Sequence, residues 1–373
     1  MKNLKSKILN GLFKIWVFLL SIPLVLIYVP IRGIVRQFRK IVLKKHDVKH
    51  HYQGHNRTLL ALEKGALGSN ETAQTNRNFI YFILAAITPY LLFVIVPFLM
   101  GIYFSFTNWT GLNTGNEIFI GFANYKNIFS SFAFAYSFYR TAIYSVLNII
   151  FINLVAFLLA LLVTQKLKLT NVYRAGFFMP NLIGGLVLGY IWQFIYRNAL
   201  PSIGGILTNS LISNPDTAMG ALIVVITWQY AGYIMMIYIA ALQNVPTDLI
   251  EASKIDGANA WQRLRTITMP LVAQAFTIAM FLTLVTSFKQ YDTVMALTQG
   301  GPATTLPQFL QNIFAAPNRT VESLNLMAIN IYDSAFVRYE MGVGQAKAII
   351  FFIILLIISL TQVYYNKKKE VEL

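Results

Sequence analysis

The chain has 373 residues, of which 56% are hydrophobic and only 12% charged, and its formal net charge is +16. Its mean hydropathy of +0.58 lies outside the range of ordinary soluble domains. The absence of cysteine excludes disulfides, thiolate catalysis and cysteine-based metal sites. The basic surplus does not point to nucleic acid, because Lys and Arg gather beside apolar runs instead of interleaving with aromatics on one face.

Residues 1–31 are expected to form a membrane-associated or spanning helix. The apolar run 11–31 is interrupted or bounded by Lys14, Pro23 and Pro30. It reads either as a seventh span, with Lys2, Lys5 and Lys7 outside, or as a helix in the interface. No small-residue cleavage site follows it, so it does not read as a removable signal. Residues 32–77 form a basic cytoplasmic linker with a short helix around 57–66. His46, His50, His51 and His55 all fall there. No carboxylate or cysteine completes a ligand set and Gly54 breaks the helix, so no metal is expected; a solvated segment near anionic lipid fits better.

Residues 78–365 carry six apolar runs, at about 78–106, 141–164, 177–197, 218–242, 270–292 and 347–365. Each approaches the ~20 residues that cross a ~30 Å hydrocarbon core as a helix. Backbone groups in lipid must bond internally, so the fold class is an all-α polytopic membrane protein. One side gathers Arg32, Arg36, Arg39, Lys40, Lys44, Lys45 and Lys49, then Lys166, Lys168 and Arg174. The same side holds Lys254, Arg263 and Arg265, then Lys367, Lys368 and Lys369, whereas the other side's long loops hold little beyond Lys126, Arg319 and Arg338. The positive-inside rule therefore puts the loop 246–270 and the tail 366–373 in the cytoplasm, and the loop 293–346 outside.

The cytoplasmic loop reads as a helix–turn–helix. Asp248, after Pro246, can cap a first helix, and Glu251 adds a second acid to its first turn. Gly257 permits a sharp turn. A second helix runs from about Asn259 with Trp261, Leu264 and Ile267 on one side, and Pro270 marks entry into the next span. Further on, TSFKQYD at 286–292 places Ser287, Lys289, Gln290 and Asp292 at membrane depth, where polar groups normally face a wet cavity or a partner helix.

Glu251, Ala252, Asp256, Gly257, Ala258 and Pro270 fall at the spacing of the EAA motif of binding-protein-dependent ABC importer permeases, with Ser253 for the family's second alanine. PYLLFVIVPFLMGIYFSFTNW at 89–109, YRAGFFMPNLIGGLVLGYIWQFIY at 173–196 and LTQGGP at 297–302 resemble the oligosaccharide (maltose-type) branch. The resemblance runs from about 80 to 365. It implies an ABC importer permease fold, a six-helix core plus an N-terminal membrane helix. It further implies that Glu251, Ala252, Ser253, Asp256, Gly257 and Ala258 form the element that couples the spans to an ATPase.

The family's sugar contacts fall by position on Asn181, Gly185, Gln229, Tyr230, Tyr233, Ser287 and Gln290. Amide, hydroxyl and aromatic groups suit a sugar's hydroxyls and C–H faces. Several identities differ from the maltose protein, so a different cargo is expected. Lys289 either pairs with an acidic saccharide, bridges to Asp292 at i+3, or reaches towards the outer interface. The implied partners are a second homologous permease, two ATPase subunits that bind ATP-Mg, and an extracellular lipid-anchored or periplasmic solute-binding protein. The implied setting is a bacterial cell (inner) membrane.

No cofactor and no catalytic residue are expected in the chain itself. It has no G-x-x-x-x-G-K-[ST] loop, and none of the six runs contains histidine. A non-sugar solute such as an amino acid or osmolyte stays open as cargo. The outer loop at about 302–340, with Phe309, Phe314, Pro317 and Tyr339, is expected to meet the binding protein.

Overall fold

The computed structural model describes residues 83–84, 87–112, 117–165, 168–205 and 208–368. The apolar run 11–31, the four histidines and the 57–66 helix lie outside the described residues. The chain divides into two compact units, Met1–Met100 and Gly101–Leu373.

In chain order the helices are α1 (Ile87–Phe104), α2 (Ala123–Phe129), α3 (Phe132–Val163), α4 (Thr170–Leu182), α5 (Gly185–Ile203) and α6 (Pro215–Gln243). They continue with α7 (Thr247–Ile255), α8 (Ala260–Leu271), α9 (Ala273–Phe288) and α10 (Asp292–Thr298). The last three are α11 (Gln308–Phe314), α12 (Met327–Tyr332, prolonged by a π turn over Asp333–Val337) and α13 (Met341–Lys367). Strands β1 (Ala303–Thr305) and β2 (Thr320–Glu322) pair antiparallel around α11, with Thr304 opposite Val321.

α1, α3, α6 and α13 are each long and apolar enough to cross a membrane alone. The bent pairs α4–α5, at 96°, and α8–α9, at 71°, bring the number to six if each is one span. Among the described residues, the six runs expected from the sequence thus correspond to four long helices and two bent pairs, and two of the runs are broken. The run 177–197 breaks where Ile183 and Gly184 turn extended, at ψ of 125° and 142°. The run 270–292 ends its helix at Phe288 and restarts at Asp292. Pro270 does not open the span; it lies in the last turn of α8, and the bend follows at Val272. The last helix begins at Met341, six residues before the apolar run, so the segment preceding it ends earlier than hydropathy indicated.

α3 and α6 form the spine. Ala156 and Ala160 on α3 and Gly232 on α6 are buried small residues that let neighbouring backbones approach. A Cβ on Gly232 would overlap the Phe177 carbonyl of α4. Phe157, Tyr238 and Phe276 interlock beside them, with ring centroids 4.8 to 5.3 Å apart.

In lipid, apolar burial gives helices little reason to associate, so packing and polar contacts carry more of the load. One such contact ties three spans together. Tyr238 OH donates to Asn153 Oδ1 at 2.7 Å, and Asn153 Nδ2 donates to Thr283 Oγ1 at 3.0 Å. Asn153→Leu is expected to lower stability by about 1 kcal/mol, and Tyr238→Phe to add little once Asn153 is gone. Thermal unfolding of the detergent-solubilised protein checks both; additive losses would mean that the two side chains act separately.

The segment 303–332 is folded onto the start of α3. Arg140 Nε donates to the Ser323 carbonyl at 2.7 Å, and Ser137 Oγ to Asn325 Oδ1 at 3.2 Å. The Met327 N–H donates to Thr141 Oγ1 at 2.8 Å.

Candidate functional site

The two helix breaks meet. Gly185, opening α5, lies against the start of α10, where an added Cβ would stand 3.0 Å from both Asp292 Cβ and Thr293 Oγ1. One turn on, the same atom on Gly189 would meet the Thr293 carbonyl at 2.9 Å. Glycine at both positions is what allows α5 to settle on α10. Gln229, buried on α6, donates from Nε2 to the Ile183 carbonyl at 3.1 Å and so satisfies an acceptor that the break exposes. Its Oε1 has no partner among the described residues. Tyr230 lies within electrostatic range of both Asp292 and Tyr144.

The expected cargo residues therefore divide. Gly185, Gln229 and Tyr230 come together around the break, with Asn181 half-buried on the turn that precedes it. Tyr233 sits a helical turn along α6 and is exposed. Ser287 is 1% exposed and engaged within the protein: it accepts from Asn148 Nδ2 at 2.7 Å and donates to the Thr283 carbonyl at 2.6 Å. Gln290 is buried at the break between α9 and α10. Lys289 and Asp292 are exposed, and no ion pair within 4.0 Å joins them, so the i+3 bridge does not form.

The sequence reading passed over α3. Tyr144 OH, Ser145 Oγ and Asn148 Oδ1 are buried there without hydrogen-bond partners among the described residues. Such groups are costly in a low-dielectric interior and mark places where something polar is accommodated. The signal was available: Ser137, Thr141, Tyr144, Ser145 and Asn148 recur at helical spacing within an apolar run. The assembled groups offer amide, phenol, hydroxyl and carboxylate functions, which suit a polyhydroxylated solute. No group of three or more His, Cys, Asp or Glu that could hold a metal occurs among the described residues.

The segment 246–270 is the second candidate element. α7 begins after Pro246 and has no side-chain cap; Asp248 lies in its first turn and is not the cap, because the extended Pro246 occupies that position. Asp248 still favours the helix, since the first turn carries partial positive charge. At the far end Ala258 N–H donates to the Ser253 carbonyl at 2.9 Å, and Gly257 N–H to the Lys254 carbonyl at 3.1 Å. This is a Schellman closure, and it requires the left-handed φ of +80° at Gly257. Ser253 is buried and its hydroxyl bonds back to the Ile250 carbonyl at 2.8 Å, so the serine is absorbed within α7.

α8 opens with a capping box between Asn259 and Gln262, and Arg263 Nη1 donates to the Ala258 carbonyl across the turn. Of the three apolar residues expected on one side of α8, Leu264 packs on the core, Ile267 is half-buried and Trp261 is 65% exposed. A π turn over Leu264–Thr268 changes the angular spacing along the helix. With Ile255 at 88% exposure and Leu249 also uncovered, this polar segment displays isolated apolar side chains. Glu251, Ala252, Asp256 and Gly257 are exposed beside them, and Ala258 is half-buried.

Residues 133–371 match the family of binding-protein-dependent transport system inner membrane components. The chain belongs to this family. The permease is 42% identical, over 78% of its length and 94% of the relative's, to the probable starch degradation products transport system permease protein AmyD of Thermoanaerobacterium thermosulfurigenes. It is 28% identical, over 76% of its length and 90% of the relative's, to the trehalose/maltose transport system permease protein MalF of Thermococcus litoralis. Among solved structures it is similar in fold to a chain of a bacterial ABC transporter involved in the import of the acidic polysaccharide alginate. The TM-score there is 0.64 at 18% identity, covering 80% of this chain and 98% of that one. The permease is thus a multi-pass membrane protein of the ABC transporter class, and the relatives it matches are transport permeases, not enzymes.

Proposed function

We propose that the permease is one of two membrane-spanning subunits of an ATP-driven importer that takes an oligosaccharide from an extracellular binding protein. The observation that carries this reading is the meeting of two broken helices, Gly185 against Asp292, beside the half-satisfied Gln229. Broken helices at membrane depth are a recurrent way to build a solute site, because irregular backbone is tolerated there only beside a cavity or protein. The starch-product and trehalose/maltose relatives support a saccharide cargo. One chain cannot enclose the path, so a second permease completes it.

The charge asymmetry of the loops supports a cytoplasmic position for residues 246–270 and for the C-terminus. There Leu249, Ile255 and Trp261 offer a docking face to an ATPase subunit. ATP-Mg binds on the ATPase pair, whose closure moves α7 and α8 and, through them, α6 and α9. The site alternates between outer and inner access.

Uptake by the reconstituted complex, with its binding protein, tests the reading. Maltotetraose is expected to be imported in an ATP-dependent manner, whereas amino acids and osmolytes are not. Import of a non-sugar solute alone would overturn the saccharide assignment. An acidic saccharide is the second reading, favoured by the exposed Lys289, which has no ion pair with Asp292. On that reading Lys289→Gln abolishes uptake of a uronate trisaccharide.

A further inference from the structure

Tyr291 occupies the break between α9 and α10, beside the proposed cargo site. Its ring centroid is 5.1 Å from that of Tyr332, which is 5.2 Å from that of Phe336. Tyr332 and Phe336 stand at i and i+4 on α12 and its π turn, so they share a face. The three rings form a stair that leaves the break and climbs α12. Tyr291 and Tyr332 are half-buried, and Phe336 is 56% exposed. Polar groups accompany the stair, since Asp292 and Asp333 both lie within electrostatic range of Tyr291.

The opposite face of α12 is anchored. Lys347 of α13, only 5% exposed, donates from Nζ to Asn330 Oδ1 at 2.7 Å and to Ser334 Oγ at 2.6 Å. Those two acceptors lie two residues away from Tyr332 on either side, on the far side of the helix. A buried lysine is costly, and here it fixes a short helix against a long one. The stair is therefore held by three elements, α3, α12 and α13, and is not a loose loop.

We propose that Tyr291, Tyr332 and Phe336 are an entry track on which a neutral saccharide chain stacks on its way to Gly185 and Gln229. The inference rests on the saccharide reading above and adds to it a route and a charge class. Sugar rings present C–H faces that pack on aromatic rings, and Asp292 and Asp333 accept hydrogen bonds from their hydroxyls. The same two carboxylates repel the carboxylates of a uronate chain, against the opposing pull of Lys289 and Arg338. Burial pushes the Asp333 carboxyl above the usual carboxylate range, while the Arg338 and Lys347 cations draw it back.

The test uses the complete importer in proteoliposomes and three probes: maltose, maltotetraose and a galacturonate trisaccharide. In the double variant Tyr332→Ala, Phe336→Ala, the KM for maltotetraose is expected to rise about tenfold. Maltose, too short to span the stair, is expected to change far less, and binding-protein-stimulated ATP hydrolysis to persist. The aromatic exchange Tyr332→Phe, Phe336→Tyr keeps both values near wild type. An equal KM rise for maltose and maltotetraose, or no rise at all, overturns the track. Wild-type preference for the galacturonate over maltotetraose overturns its neutral character. Failure of the wild-type complex to import any saccharide removes the cargo reading itself, and the track with it.

Discussion

Gly257→Val is expected to lower transport about tenfold or more while leaving the spans folded. Gly257 adopts φ of +80° to close α7, and nothing stands within 4 Å of where its Cβ would be, so the cost is conformational and not steric crowding from neighbours. A β-branched residue forced into the left-handed region costs about 1–3 kcal/mol, which a short exposed turn relieves by changing its angle. The hydrogen bonds from Gly257 and Ala258 to α7 then fail, and the exposed Ile255 and Trp261 shift relative to one another. The expected signature is ATP hydrolysis that continues, or falls less than uptake, in proteoliposomes. Gly257→Asn, which tolerates that backbone, should retain most transport. Equal activity of Val and Asn variants would show that the turn's geometry is not what transmits motion.

Gly232→Ala is the second large effect, and it acts on the fold. A Cβ there would overlap the Phe177 carbonyl and come within 2.9 Å of the Phe178 nitrogen, and backbone cannot rotate out of the way as a side chain can. Separation of α4 from α6 is expected to cost about 3 kcal/mol. It also moves the turn at Asn181 and the break that Gln229 closes, so uptake falls with stability. On the same helix Gly220 has nothing within 4 Å of an added Cβ, and Gly220→Ala should stabilise by up to ~1 kcal/mol through helix propensity alone. Thermal unfolding in detergent separates the two; a drop of similar size for both would contradict the close-approach argument.

Local chemistry made much of the permease legible. In the segment 246–270 a second helix is expected from about Asn259, and Asn259 is its N-cap. Gly257 follows Asp256 as a turn glycine should, and its backbone is left-handed. These features depend on residues within a few positions of one another, so the order of residue types suffices to read them.

Other features depended on where a helix begins or ends, or on pairings far apart in the chain. TSFKQYD is expected within one span because of its apolar surroundings, whereas the helix stops at Phe288 and restarts at Asp292. Ser287 is engaged by Asn148, a residue of another helix. Lys289 and Asp292 looked like an i+3 pair, but the helix ends at Phe288 and destroys the register that would have joined them. Asp248 looked like a cap, and Pro246 took that place. Lys347 reads as a charged residue at a span's edge, whereas the folding of α12 supplies it with Asn330 and Ser334 and buries it.

The sequence by itself determined that this chain crosses a membrane several times and where the segment 246–270 turns. Hydropathy, charge and capping act locally or on the bilayer as a uniform solvent, so no knowledge of packing is needed. Only the tertiary structure decided that α5 and α10 meet at Gly185, that Gln229 closes the break, and that Tyr332 and Phe336 carry an aromatic face up from Tyr291. Those contacts join residues from different helices, and their register follows from glycine-permitted backbone approach, which the order of residue types does not encode.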